Sequence, residues 1–183
     1  VRTKATPSAS CVYREIGDID VSAGEFGPGT RYSKGQAPNN AQRQFSKHDL
    51  AVSTRRPDRG AVAVVSDESS SAFYSVFLAR IRPQSPELAY WLKEYLRHPF
   101  GKMLLRQRCT QKTYPVISEQ DIGTIPVPVS PQSWESIARW SIAARARESN
   151  ARRLTQAARL LVEALIERKV SEADLVGAHK SPE

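Results

Sequence analysis

Two short stretches carry side chains suited to gripping and reading a polyanion. Ser53, Thr54, Arg55, Arg56 and Arg59 crowd around a Pro57-Asp58-Arg59-Gly60 turn. An arginine there can fork onto guanine in a DNA major groove. The second stretch runs from Arg97 to Lys112, with Arg97, Lys102, Arg106, Arg108 and Lys112 and no acid among them. Gln111, Lys112, Thr113 and Tyr114 follow Arg106 and Arg108, offering hydrogen bonds to phosphates and base edges from a loop. A solvated helix face and an ordinary polar turn are the plain readings of the same residues.

Residues able to do covalent chemistry are scattered instead. His48, His98 and His179 stand singly, and Cys11 and Cys109 show no metal-ligand spacing. There is no phosphate-cradling glycine loop, no dinucleotide fingerprint and no Gly-x-Ser-x-Gly elbow. A nuclease would have to be assembled from Pro57-Asp58 and Glu167-Arg168-Lys169, more than a hundred residues apart. The reading is therefore of a chain without catalytic residues, metal or cofactor of its own.

Composition agrees with a binding role. Lys and Arg number 27 against 19 Asp and Glu, a formal charge of +8 over 183 residues, which favours a polyanionic partner. Hydrophobic residues at 40% and charged residues at 25% are ordinary globular values. Two cysteines are too few for a disulfide framework, so a reducing cytoplasm is expected. No apolar run reaches the roughly 20 residues of a membrane span, and no signal peptide is read at the start. Val1 in place of Met points to a fragment or a trimmed chain.

The elements that must position these clusters follow from pattern. Residues 1 to 10 read as a loose arm, Val12 to Ile19 as extended, and Gly24 to Asn40, with four Gly, two Pro and two Asn, as loop. Leu50 to Thr54 and Ala61 to Val65 make a hairpin around the basic turn. Phe73, Ser75, Phe77, Ala79 and Ile81 share one face of a longer strand. Ser85-Pro86-Glu87 opens a helix whose stripe is Leu88, Trp91, Leu92, Tyr95 and Leu96; Trp91 and Tyr95 on that stripe are expected in the core. Pro99 starts a second helix with Phe100, Met103 and Leu104. Ile125 to Val129, with prolines at alternate positions, reads as an edge strand.

From Trp134 to Lys169 there is no Gly or Pro, and helix formers dominate. Ile137, Ala144, Ala151, Ala158 and Leu165 recur every seven residues, with Trp140, Leu154 and Leu161 at the intervening position and Arg147 as the interruption. That is a coiled-coil seam, and it calls for a partner helix. The division expected is a recognition domain over 1–132, a long helix over 133–170 and a flexible tail over 171–183.

The order of segments resembles the specificity subunits of Type I restriction-modification systems. The matching pieces are Tyr13-Arg14-Glu15-Ile16-Gly17-Asp18-Ile19, then Asp49-Leu50-Ala51-Val52-Ser53-Thr54 leading to Gly60-Ala61-Val62-Ala63. Ser71-Ala72-Phe73 and the Leu88 to Leu96 helix follow, then Thr113-Tyr114-Pro115-Val116-Ile117-Ser118, Ile125-Pro126-Val127-Pro128 and the long helix. The resemblance implies a mixed α/β (α+β) target recognition domain joined to a long coiled-coil helix. It implies double-stranded DNA as ligand and an adenine-N6 methyltransferase subunit as partner, which binds the S-adenosylmethionine. It also implies a restriction/translocase subunit, and no membrane. A full subunit carries two recognition domains and two helices. One of each here implies a half-subunit that forms a homodimer through its helix, or a fragment. The other readings are a non-catalytic helical assembly protein, the recognition domain of a fused DNA methyltransferase, and a nuclease or methyltransferase fragment.

Overall fold

The computed structural model describes residues 10–66, 72–110, 113–128 and 130–170. Its strands are β1 (Cys11–Arg14), β2 (Ile19–Asp20), β3 (Glu25–Phe26), β4 (Thr30–Tyr32), β5 (Ala41–Gln44), β6 (Leu50–Ser53), β7 (Val62–Val64), β8 (Phe73–Ser75) and β9 (Leu78–Ile81). Its helices are α1 (Pro86–Arg97), α2 (Pro99–Gln107), α3 (Glu119–Gly123) and α4 (Pro131–Ile166), with 3-10 turns at Ile16–Asp18 and Pro57–Arg59. Mixed sheets plus helices, with one long helix, make this the α+β class expected.

Among the described residues the strands form a sheet in the order β4-β1-β8-β5, a β2-β3 pair, and a sheet in the order β7-β6-β9. The β7-β6-β9 sheet is antiparallel throughout and sits between two cores. Period-two alternation explains why. Leu50, Val52, Val62 and Val64 face α1, α2 and Ile117, Ile122 and Ile125. Ala51, Ala63 and Val65 face Ile19, Phe45 and Tyr74 on the side of the other sheet. Each buried Leu, Val or Ile contributes about 1.5–3 kcal/mol relative to exposure.

The α1–α2 pair forms as its sequence dictates. Ser85 Oγ accepts the Leu88 amide at 3.2 Å, and Pro86 occupies the first turn. The helix stops at His98, which is extended because Pro99 follows it. The His98 ring then caps α2 by accepting from the Phe100 amide at 3.3 Å. Trp91 is buried, as expected, and Tyr95 stacks on it at 5.1 Å. Gly101 is required where the helices meet, since a Cβ there would lie 2.0 Å from the Tyr95 carbonyl.

Four local expectations are corrected. Phe73 to Ile81 is not one strand but two, in different sheets. The chain turns at Val76–Phe77, where Val76 N–H donates to Asn40, Phe77 N–H to Ser75 Oγ, and the Phe77 carbonyl accepts from Thr54. Those bonds take the peptide groups a straight strand would have used. The register therefore resets, and Tyr74 and Leu78 become the fully buried pair. Residues 125–128 form no strand. Side chains hold them: Tyr95 Oη donates to the Pro126 carbonyl at 2.7 Å and Trp134 Nε1 to the Pro128 carbonyl at 3.1 Å. The loop-like 24–40 stretch contains β3 and β4, and Val12 to Ile19 is interrupted by a 3-10 turn.

The chain divides into a compact unit through Ser141 and a second from Ile142. Within the first, the opening turns of α4 pack through Trp134, Ala138 and Ser141 on one helical face. Trp134 lies 5.6 Å from Trp91, and Ala138 is fully buried. Ser141 Oγ donates to Glu94 Oε1 at 2.8 Å. In the second, Ala151, Leu154, Ala158 and Leu161 are exposed and Leu165 is half-buried.

Candidate nucleic-acid interface

The two basic clusters, some fifty residues apart in sequence, become one surface. The join is backbone. Arg55 bridges Val116 as an antiparallel pair. Arg56 N–H donates to the Pro115 carbonyl at 2.8 Å, and Ile117 N–H to the Thr54 carbonyl at 3.1 Å. Thr110 N–H donates to the Val116 carbonyl at 2.9 Å, closing the loop after α2 back on itself.

Between these segments opens a cleft of about 320 Å³ lined by Arg56, Asp58, Arg59, Arg106, Thr113 and Pro115. Its floor is the 3-10 turn Pro57–Arg59, entered by Arg56 in the left-handed region (φ 46°) and left by Gly60 in the same region (φ 79°). Gly60 is needed for its φ, and the Lys102 side chain lies across it, where a Cβ would come within 2.5 Å of that flexible chain. The turn is thus clamped against α2.

The residues singled out in the sequence take different stations. Ser53 is fully buried, its hydroxyl donating to the Arg55 carbonyl at 2.6 Å, so it shapes the turn. Thr54 Oγ1 donates to the Phe77 carbonyl at 2.8 Å. The Arg55 guanidinium lies 4.8 Å over the Phe77 ring, and that of Arg56 lies 4.8 Å over Tyr114. Arg59, Thr113 and Tyr114 are exposed, and Arg106 is half-buried at the cleft wall. Arg108 is exposed and donates to Thr124 Oγ1. Gln111 and Lys112 lie outside the described residues. Of the wider basic run, Arg97 is occupied elsewhere, donating to the Val21 and Ser22 carbonyls and pairing with Glu94.

On the single chain Ile137, Trp140 and Ala144 are exposed, Trp140 at 72% and Leu154 further along at 66%. The face missed in the sequence is the one at Trp134, Ala138 and Ser141. Its spacing of four and three was available as a signal, but a small alanine and a serine carry little hydrophobic weight. Also missed was the polar network beneath it. Lys93, 2% exposed, bonds to Glu94 at 2.9 Å and to the Ala23 carbonyl at 3.3 Å. Burial pushes the Glu94 carboxyl up, but Lys93, Ser141 and Arg97 outweigh it and hold it below the usual carboxylate range.

Among the described residues no group of three or more His, Cys, Asp or Glu is placed to hold a metal ion, and no helix is long and apolar enough to cross a membrane. Burial pushes the Cys109 thiol up, so it stays protonated near neutrality. What the cleft offers is a fork of cationic donors, a hydroxyl and one carboxylate. That set combines donors suited to an anion with one acceptor.

No protein-family model matches the chain, and no curated protein matches it in sequence. Solved structures do match. The HsdS subunit from Thermoanaerobacter tengcongensis aligns with a TM-score of 0.62 at 22% identity, over 88% of this chain and 42% of that one. A chain from the complex assembly of a type I R-M system aligns with a TM-score of 0.65 at 24% identity, over 91% of this chain and 44% of that one. The chain spans less than half the length of these structures. The likeness is one of fold, and it coincides with the resemblance read from the order of sequence segments.

Proposed function

We propose that this chain, with the fold of HsdS structures, is a sequence-reading DNA module that does no covalent chemistry itself. It binds duplex DNA through the cleft between the hairpin tip and the loop after α2. Through α4 it serves an adenine-N6 methyltransferase, which brings the S-adenosylmethionine, and a restriction/translocase subunit where the system has one. The observation that carries the reading is the convergence of Arg56, Arg59 and Arg106 from two distant segments on one cleft. Three donor-only guanidiniums with a hydroxyl and a carboxylate suit phosphates and base edges together. The net charge of +8 and the fold support it.

The exposed apolar residues of α4 support a helical partner. Ile137, Trp140, Ala144, Ala151, Leu154, Ala158, Leu161 and Leu165 form the seam, and small alanines allow two backbones to approach closely. A second copy of this chain is the proposed partner. A two-fold pair would present two reading modules to a split, palindromic site. The chain would act in the cytoplasm, where such DNA is found.

The test is duplex binding by the full chain, titrated against salt. Expected is a Kd that weakens linearly in log–log form, with a slope of about −0.9 per phosphate neutralised. Selection from a randomised duplex pool should return a preferred sequence. Affinity that is absent, or that shows neither salt dependence nor sequence preference, would sink the reading.

A further inference from the structure

Asp58 is the one acid among the described residues that line the basic cleft, and a 3-10 turn holds it. Pro57 is buried beneath it, Arg59 N–H donates to the Arg56 carbonyl at 3.0 Å, and Gly60 N–H to the Pro57 carbonyl at 3.0 Å. The Lys102 side chain lies across Gly60. Arg56 holds a left-handed backbone that an L residue rarely adopts, a strain met most often at functional sites. Asp58 Oδ1 is closed off from solvent and meets no hydrogen-bond donor among the described residues. A carboxylate is acceptor-only, and left unpaired it is costly. Facing a phosphate backbone it would be repelled as well. The arrangement makes sense if the carboxylate turns into the cleft, which it lines, to meet a donor that arrives with the ligand.

We propose that Asp58 determines sequence specificity by accepting a hydrogen bond from the exocyclic amino group of an adenine or cytosine in the major groove. The inference rests on the duplex-binding reading of the cleft. Adenine offers its N6 amino group there and cytosine its N4 amino group, whereas guanine and thymine offer acceptors and no donor. The neighbouring guanidiniums cannot make this choice, because they only donate; they suit phosphate or guanine. Asp58 therefore divides the bases at its position into those that present an amine and those that do not.

Asp58→Ala and the shape-keeping Asp58→Asn, each shown by thermal melting to be folded, separate this role from a structural one. Both remove a negative charge facing phosphate. Unselected duplex should bind the variants as tightly as the full wild-type chain or more tightly. A randomised duplex pool should give the wild type a position fixed as adenine or cytosine. Replacing that base by an analogue without the major-groove amine, 2-aminopurine for adenine or pyrimidin-2-one for cytosine, should cost the wild type roughly 5- to 150-fold in Kd. The same replacement should cost Asp58→Ala nothing, and the analogue that acts identifies which base is read. Equal losses for wild type and Asp58→Ala, the same selected sequence for both, or weaker binding of every duplex by the folded variants would each overturn the role of Asp58 while leaving DNA binding intact. A wild type that binds no duplex overturns both.

Discussion

Arginines of the joined basic surface sit in different surroundings. Arg59 and Arg106 border the open cleft, whereas Arg55 is stacked on Phe77 and its backbone is bridged to Val116. Arg59→Ala and Arg106→Ala should each weaken binding of all duplexes and flatten the salt slope by about 0.9 for every phosphate left without its guanidinium. Arg55→Ala should instead lower folding stability by about 0.5–1 kcal/mol, because nothing then stacks on the Phe77 ring. Filter-binding titrations at several salt concentrations, alongside urea melts, distinguish the two; identical behaviour of all three variants would refute the division. Glu94 gives a pH prediction. Its folded carboxyl sits below the unfolded value of about 4.3, so its stabilisation is fully present above that value and is lost as pH falls through the lower folded one. Glu94→Gln should cost about 1–3 kcal/mol near neutrality, less than a fully buried pair because the side chain is 35% exposed. The gap between wild type and variant should narrow in acid. Parallel stability–pH curves for the two proteins would show that the network contributes nothing of this kind.

At the scale of elements, the proposed interface depends on a clamp between the hairpin tip and α2. The Pro57–Arg59 turn lies under Lys102, and α2 is seated on α1 by the close approach at Gly101. A methyl group at Gly101 would collide with the backbone of Tyr95 and Leu96, which cannot step aside as a flexible side chain does. Gly101→Ala should therefore destabilise by about 1–3 kcal/mol, towards the upper end, by tilting α2. It should also weaken duplex binding, although residue 101 itself is buried away from any ligand. Denaturant midpoints and duplex affinity measured on the same variant check both halves. An unaffected affinity in a destabilised but folded variant would show that the cleft does not depend on how α2 is seated.

For the whole molecule, the question is what covers α4. A helix of 36 residues spans on the order of 50 Å, and its exposed large side chains include Trp140, Leu154, Leu160, Leu161, Val162 and Ile166. Exposed apolar side chains of this size are what the proposed helical partner would cover. If a second copy supplies the partner helix, light scattering across micromolar concentrations should report a dimer. Leu154→Glu with Leu161→Glu should return it to monomer without lowering the melting temperature of the compact unit that ends at Ser141. A wild type that stays monomeric at every concentration, and recruits no methyltransferase subunit, would remove the seam's proposed role. Alanines at Ala144, Ala151 and Ala158, and the break at Arg147, set the expected affinity at the modest end.

Local physics alone settled a good part of this protein. The cap at Ser85, the stop before Pro99, the hairpin around Pro57–Gly60 and the length of α4 each depend on neighbours within a few residues, so the sequence determined them. The same holds for the basic character of the two clusters. Tertiary structure decided what long-range hydrogen bonds decide. Phe73 to Ile81 reads as one strand until Asn40 and Thr54 claim its middle peptides, and Ile125 to Pro128 reads as a strand until Tyr95 and Trp134 claim its carbonyls. Ser53 looked like a surface hydroxyl because its type is polar, but the Arg55 backbone draws it inward. Above all, no spacing in the chain brings residue 56 to residue 115. Only the bridge at Arg55 and Val116 makes one cleft of two clusters and sets Asp58 among its arginines, because pairing across some sixty residues is fixed by the packed core beneath them.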